Sequence, residues 1–171
     1  EYVANVEGIV TRVVDNHNFY MQDPKPDANP LTSEGILVYK RDHGVQIGDQ
    51  AKVNGQVKEW VLEGYSEKLQ TDLPVTEINA TDITIESSGN KLPKPIQING
   101  LYRQPTVIID NDGLTKFEPF TDGIDYYESL EGMRVSIKDA KVIAPQDYGE
   151  LYVVAGNIRT NTSAGGLAIN K

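Results

Sequence analysis

Cysteine is absent from the 171 residues, which excludes disulfides and thiolate metal sites. Only two histidines occur, His17 and His43, leaving little for an imidazole metal centre or an acid–base pair. No run approaches the ~18–20 apolar residues of a membrane-spanning helix. Gly-x-Ser-x-Gly, His-Glu-x-x-His and a phosphate-cradling glycine loop are also missing, so the familiar signatures of hydrolytic and nucleotide chemistry are excluded. A basic surplus is lacking as well. There are 25 acidic and 16 basic side chains, net −9. Residues 1–86 hold 15 Asp/Glu and 7 Lys/Arg, net −8, and residues 87–171 hold 10 and 9, net −1. Such a field repels phosphate backbones, so any nucleic-acid contact must come from a local strip.

What the chain does contain is short strand patterns separated by turn residues. Residues 6–14 and 18–22 are β-rich and divided only by Asp15-Asn16-His17. A loop carrying Pro24, Pro26 and Pro30 precedes a third segment, 35–41, and Gly8 and Gly35 suggest bulges or bends. Residues 51–62 alternate, with Ala51, Val53, Gly55 and Val57 on one side and Lys52, Asn54, Gln56 and Lys58 on the other. Gly55 reads as a bulge, residues 67–71 as a short returning strand, and 78–86 as the closing one. The expected fold class is all-β: a five-stranded Greek-key barrel of the OB type over residues 1–88. Residues 89–95, with two prolines, read as a linker. Residues 96–160 read as a β-rich extension or second, incomplete OB-like unit. Within them lie a β-branched run at 106–110, a turn at 110–113, a short helix over 123–130 with Asp125 as N-cap, and a hairpin of 133–144 with 149–155. A glycine ahead of an alternating strand at both 47–53 and 130–137 is the only hint of a repeat. Residues 161–171 read as a flexible tail.

An OB barrel binds ligands on the face of its second and third strands, under rimming loops. That region supplies His17, Asn18, Phe19, Tyr20, Gln22, Tyr39, Lys40 and Arg41, to which later strands add Lys58, Trp60, Tyr65 and Lys68. Aromatics interleaved with cations suit a single strand, because bases stack on rings and phosphates pair with Lys or Arg. The expected contact strip is Phe19, Tyr20, Tyr39, Lys40, Arg41, Lys58 and Trp60. Alternation also sends about half of the strand aromatics into the core. Asp110-x-Asp112-Gly113 does not keep EF-hand spacing and reads as a turn. No metal site, cofactor site or catalytic residue is expected in this chain.

The order VEGIVTRV, NFYMQDP, TSEGILVY and IGDQAKVNGQVKEW resembles the OB-fold segment of bacterial extracellular nucleases of the endonuclease/exonuclease/phosphatase superfamily. The later YYESLEGMRVSIKDAKVIAPQDYGELYVVA and RTNTSAGGLAINK resemble the stretch that joins that barrel to the phosphoesterase domain. QDP…TSEGI…VY and YESLEGM are the most specific blocks. The resemblance implies a secreted or cell-surface bacterial parent whose divalent-metal-dependent hydrolysis belongs to a catalytic domain outside this chain. The piece would be a monomeric, non-catalytic module that presents single-stranded or duplex nucleic acid. The starting Glu1, without a leader, fits a processed or excised piece. Two other readings remain open: a spacer docked on the parent's catalytic domain, and a carbohydrate-binding barrel.

Overall fold

The computed structural model describes residues 1–27, 29–61, 69, 71–100 and 103–166. The protein is mostly β and divides into two compact units, Glu1–Lys94 with Ser129–Arg134, and Pro95–Glu128 with Val135–Lys171. The expected returning strand at 67–71, Tyr65, Lys68 and the last five residues of the expected tail fall wholly or mostly outside the described residues.

Five strands build the first unit: β1 (Tyr2–Val13), β2 (Asn18–Gln22), β3 (Gly35–Tyr39), β4 (Gln50–Trp60) and β5 (Val75–Ser87). They close into a barrel in the order β1-β2-β3-β5-β4, with β1 paired to both β2 and β4. Only the β3–β5 pairing is parallel. Sequence alternation is the reason the barrel fills. Phe19 and Met21 from β2, Val38 from β3, Ala51 and Val53 from β4, and Ile78 and Ala80 from β5 all point inward. With Val10 and Val45 they form one buried cluster.

The turn between β1 and β2 is held by Asp15, whose Oδ1 accepts the backbone N–H of His17 (2.7 Å) and Asn18 (2.8 Å). This is the side-chain mimicry that makes Asp a turn former. The His17 bond, first among the causes, lowers the Asp15 pKa below the ordinary aspartate range. Gly55 does sit at a register shift between β4 and β5, where a Cβ would meet Asn79 O at 2.5 Å. Gly8 is different. The β1 shifts lie at Val3/Val6 and Val10/Arg12, and the space beside Gly8 is taken by the Met21 side chain. It is a packing glycine rather than a bulge.

Residues Ser129–Arg134 belong to the barrel unit although they follow the helix in sequence. Glu131 O accepts Ser33 Oγ–H at 2.5 Å, and Glu131 Oε1 accepts the Thr76 N–H at 3.1 Å. Gln22 Oε1 accepts the Arg134 N–H at 3.0 Å, and the Arg134 guanidinium donates to Pro93 O. The strap lies against Gly35, where any Cβ would run into the Gly132–Met133 backbone.

The second unit contains α1 (Gly123–Glu128) and two-stranded pairings of β6 (Ile96–Gln97) with β7 (Val135–Ser136) and of β8 (Lys141–Val142) with β9 (Val153–Val154). The antiparallel β8–β9 pair realises the expected hairpin over only two residues on each side. Residues 106–110 form no strand, because Ile108 O and Ile109 O instead accept the Gly123 and Ile124 N–H groups at the start of α1. Asp125 does not cap α1. It lies inside the first turn, buried, accepting the Glu118 N–H at 2.6 Å. The 110–113 turn is present, with Asp110 accepting the Gly113 and Leu114 N–H groups. Among the described residues, no helix is long and apolar enough to cross a membrane.

Candidate functional site

Side chains on β2 that do not enter the core, Asn18 and Tyr20, face outward by simple alternation. Register carries the same face across the sheet. Tyr20 pairs with Leu37, Leu37 with Glu77, and Glu77 with Lys58. The next row runs Asn18, Tyr39, Asn79, Gln56. Two residues beyond Lys58 on β4 stands Trp60.

These rows floor a cleft of about 500 Å³ lined by Val14, Asn18, Tyr20, Leu37, Tyr39, Trp60, Glu77 and Asn79. That volume lies in the range of small-ligand sites. Three aromatic rings, two amides and one carboxylate therefore converge on one outer face. The His17 ring lies nearly parallel to Tyr39, with centroids 6.1 Å apart and planes at 13°, and extends the aromatic surface.

Glu77 is the unusual member. Its side chain is only 7% exposed, yet its carboxylate has no hydrogen-bond partner among the described residues. Burial raises its pKa above the ordinary glutamate range, and the charge of Lys58 partly opposes that rise. Its carboxylate oxygens open onto the solvent of the cleft, where they can accept hydrogen bonds from a bound group.

The structure thus gathers Tyr20, Tyr39 and Trp60 from the expected strip, with Lys58 at its edge. Phe19 is a correction. It is wholly buried, edge-on to His43 at 5.0 Å, because inward alternation on β2 puts it in the barrel core. Lys40 and Arg41 do not join the cleft. The Lys40 ammonium donates to Thr81 O at 2.8 Å, and Arg41 is exposed in the turn after β3. His43 is occupied structurally, its Nδ1 accepting the Val45 N–H and its Nε2 bonding Asp15 O, which requires the Nε2–H tautomer. Among the described residues, no three His, Asp or Glu are grouped to hold a metal.

Sequence reasoning missed Glu77, Leu37 and Asn79. Beginning the last strand at residue 78 left Glu77 outside it. Its one available signal was a charged residue beside the inward pattern of Ile78 and Ala80.

Residues 95–171 match a family model described as a domain of unknown function, DUF8508. No curated protein and no solved structure matches the chain. The five barrel strands and the residues lining the cleft lie outside the matched residues.

Proposed function

We propose that the barrel is an OB-fold module that binds single-stranded nucleic acid, the non-catalytic, substrate-presenting part of a secreted multidomain nuclease. The strand order β1-β2-β3-β5-β4, closed through β1, is the order such a barrel adopts. The observation that carries the reading is the convergence of Tyr20, Tyr39 and Trp60 on the outer face of β2, β3 and, across β5, β4. Rings at that place serve as stacking platforms for successive bases. Lys58 supplies a cation beside them, and Arg41 another in the exposed turn. The resemblance of the chain to the non-catalytic portion of extracellular nucleases supports the wider assignment. It also supports metal-dependent hydrolysis in a further domain of a bacterial parent.

The test is fluorescence-anisotropy titration of a labelled single strand at low and moderate salt. Trp60→Ala and Tyr39→Ala should each weaken binding by ~1–3 kcal/mol, the usual stacking contribution per base. Unchanged affinity in both variants, or no binding at low salt, would overturn the assignment. One observation favours a second reading. Among the described residues, the only charged side chain lining the cleft is a carboxylate, which suits sugar hydroxyls better than phosphates. Oligosaccharide binding without single-strand binding would select it.

A further inference from the structure

We infer that Glu77 is a base-reading residue and that the cleft selects guanine; this rests on the nucleic-acid reading above. Three features of the site lead there. Glu77 is largely buried as a residue and lines the cleft, onto which its carboxylate oxygens open with no donor of their own among the described residues. The rings around it would hold a planar ligand by its faces, leaving the edge of that ligand to meet the polar groups. An edge that satisfies an ionised carboxylate must offer donors, preferably two side by side, because the carboxylate only accepts.

Among the bases, guanine alone has that edge, with N1–H and the N2 amino group adjacent and parallel. Thymine offers one N–H between two carbonyls. Adenine and cytosine each set a ring-nitrogen acceptor beside the amino group, which would face a carboxylate oxygen unfavourably. Asn79 lies on the same face of β5 two residues beyond Glu77, where its amide N–H can serve guanine O6. The choice of a carboxylate also explains why the site tolerates an acidic barrel. Lys58 stands opposite Glu77 in the strand register and its charge favours the ionised form, while recognition works through the base rather than through phosphate.

The experiment compares two labelled single strands by anisotropy, each long enough for an OB site of ~4–16 nucleotides. One is all thymine; the other carries guanines separated by thymines, too sparse to form quadruplexes. The wild-type chain should bind the guanine-bearing strand ~5- to 150-fold tighter, the discrimination typical of a well-paired base contact. Replacing those guanines by inosine removes the N2 amino group and should lose most of the preference. Glu77→Gln keeps the shape but substitutes a donor for one acceptor. It should abolish the preference, bringing the ratio of the two affinities to about one.

Equal binding of both strands by the wild type, or a preference that survives in Glu77→Gln, would overturn the base-reading role and leave the nucleic-acid assignment standing. Failure of both strands to bind at low salt would remove the two together. Folding of Glu77→Gln is read separately, from its thermal transition.

Discussion

Replacing Gly35 by Ala tests how the strap Ser129–Arg134 is held on the barrel. An added Cβ would run into Gly132 C and come within 2.5 Å of Gly132 O and 2.6 Å of Met133 N, while ordinary contact begins near 3.4 Å, so the strap must retreat by ~1 Å. The obstruction is backbone, not a side chain that can rotate away. If the strap stays, the strain should match other overpacking changes, ~1–3 kcal/mol. If it leaves, four hydrogen bonds are lost, each with a net contribution of ~0.5–1.5 kcal/mol, together ~2–6 kcal/mol. The cheaper response sets the outcome, so a loss of ~1–3 kcal/mol is expected. Trp60 is the sole tryptophan and lies in the barrel, so its fluorescence follows this unit alone during heating. For a unit of this size each kcal/mol moves Tm by ~4–8 °C. Gly8→Ala is the control, since its Cβ meets only the Met21 side chain at 3.1–3.2 Å and should cost less. A Gly35→Ala transition within ~2 °C of the wild type, or one no lower than that of Gly8→Ala, would refute the close-approach argument.

Phe19→Ala should destabilise the barrel by ~3–5 kcal/mol in denaturant unfolding, because a wholly buried aromatic leaves a cavity. Trp60→Ala, on a partly exposed ring, should leave stability nearly intact, as circular dichroism will show, while weakening ligand binding. Burial raises the pKa of Glu77, of Glu34 and of Glu131, so the folded state holds protons that the unfolded chain has released. Their contribution is full below the ordinary glutamate pKa of about 4.3 and is lost as pH rises through the raised values. Glu77→Gln should therefore raise Tm at neutral pH and flatten the fall above pH ~5. A variant that melts lower than the wild type at neutral pH would contradict the desolvation argument. In the opposite direction, Asp15 stabilises in its charged form, and that contribution is lost as pH falls through its lowered pKa. Asp15→Ala should loosen the β1–β2 turn, visible as faster amide exchange at His17 and Asn18.

Local chemistry made several elements legible in the sequence. The limits of β2, Asn18–Gln22, follow from the Asp15 turn on one side and the proline-bearing loop on the other. The inward set Ala51, Val53 and Gly55 of β4 follows from period-two alternation, and the bulge at Gly55 from a glycine inside that pattern. Alternation also limits the aromatic candidates, since Phe19 and Tyr20 cannot share a face. It does not say which of the two is the inner one. That assignment came only with closure of the barrel, which buries Phe19 and leaves Tyr20 in the cleft. The parallel pairing of β3 with β5 joins segments nearly forty residues apart, and no local signal sets its register. Yet this register alone puts Glu77 beside Leu37 and Asn79 beside Tyr39, giving the aromatic face its polar groups. The strap has the same origin. Six residues that read as the end of a helix and the start of a strand belong to the barrel because two glycines let backbones approach and buried Gln22 needs a donor. Sequence by itself determined the strands and their two faces, because those depend on neighbours along the chain. The tertiary structure alone decided what meets across them, because register between distant strands depends on closing the whole barrel.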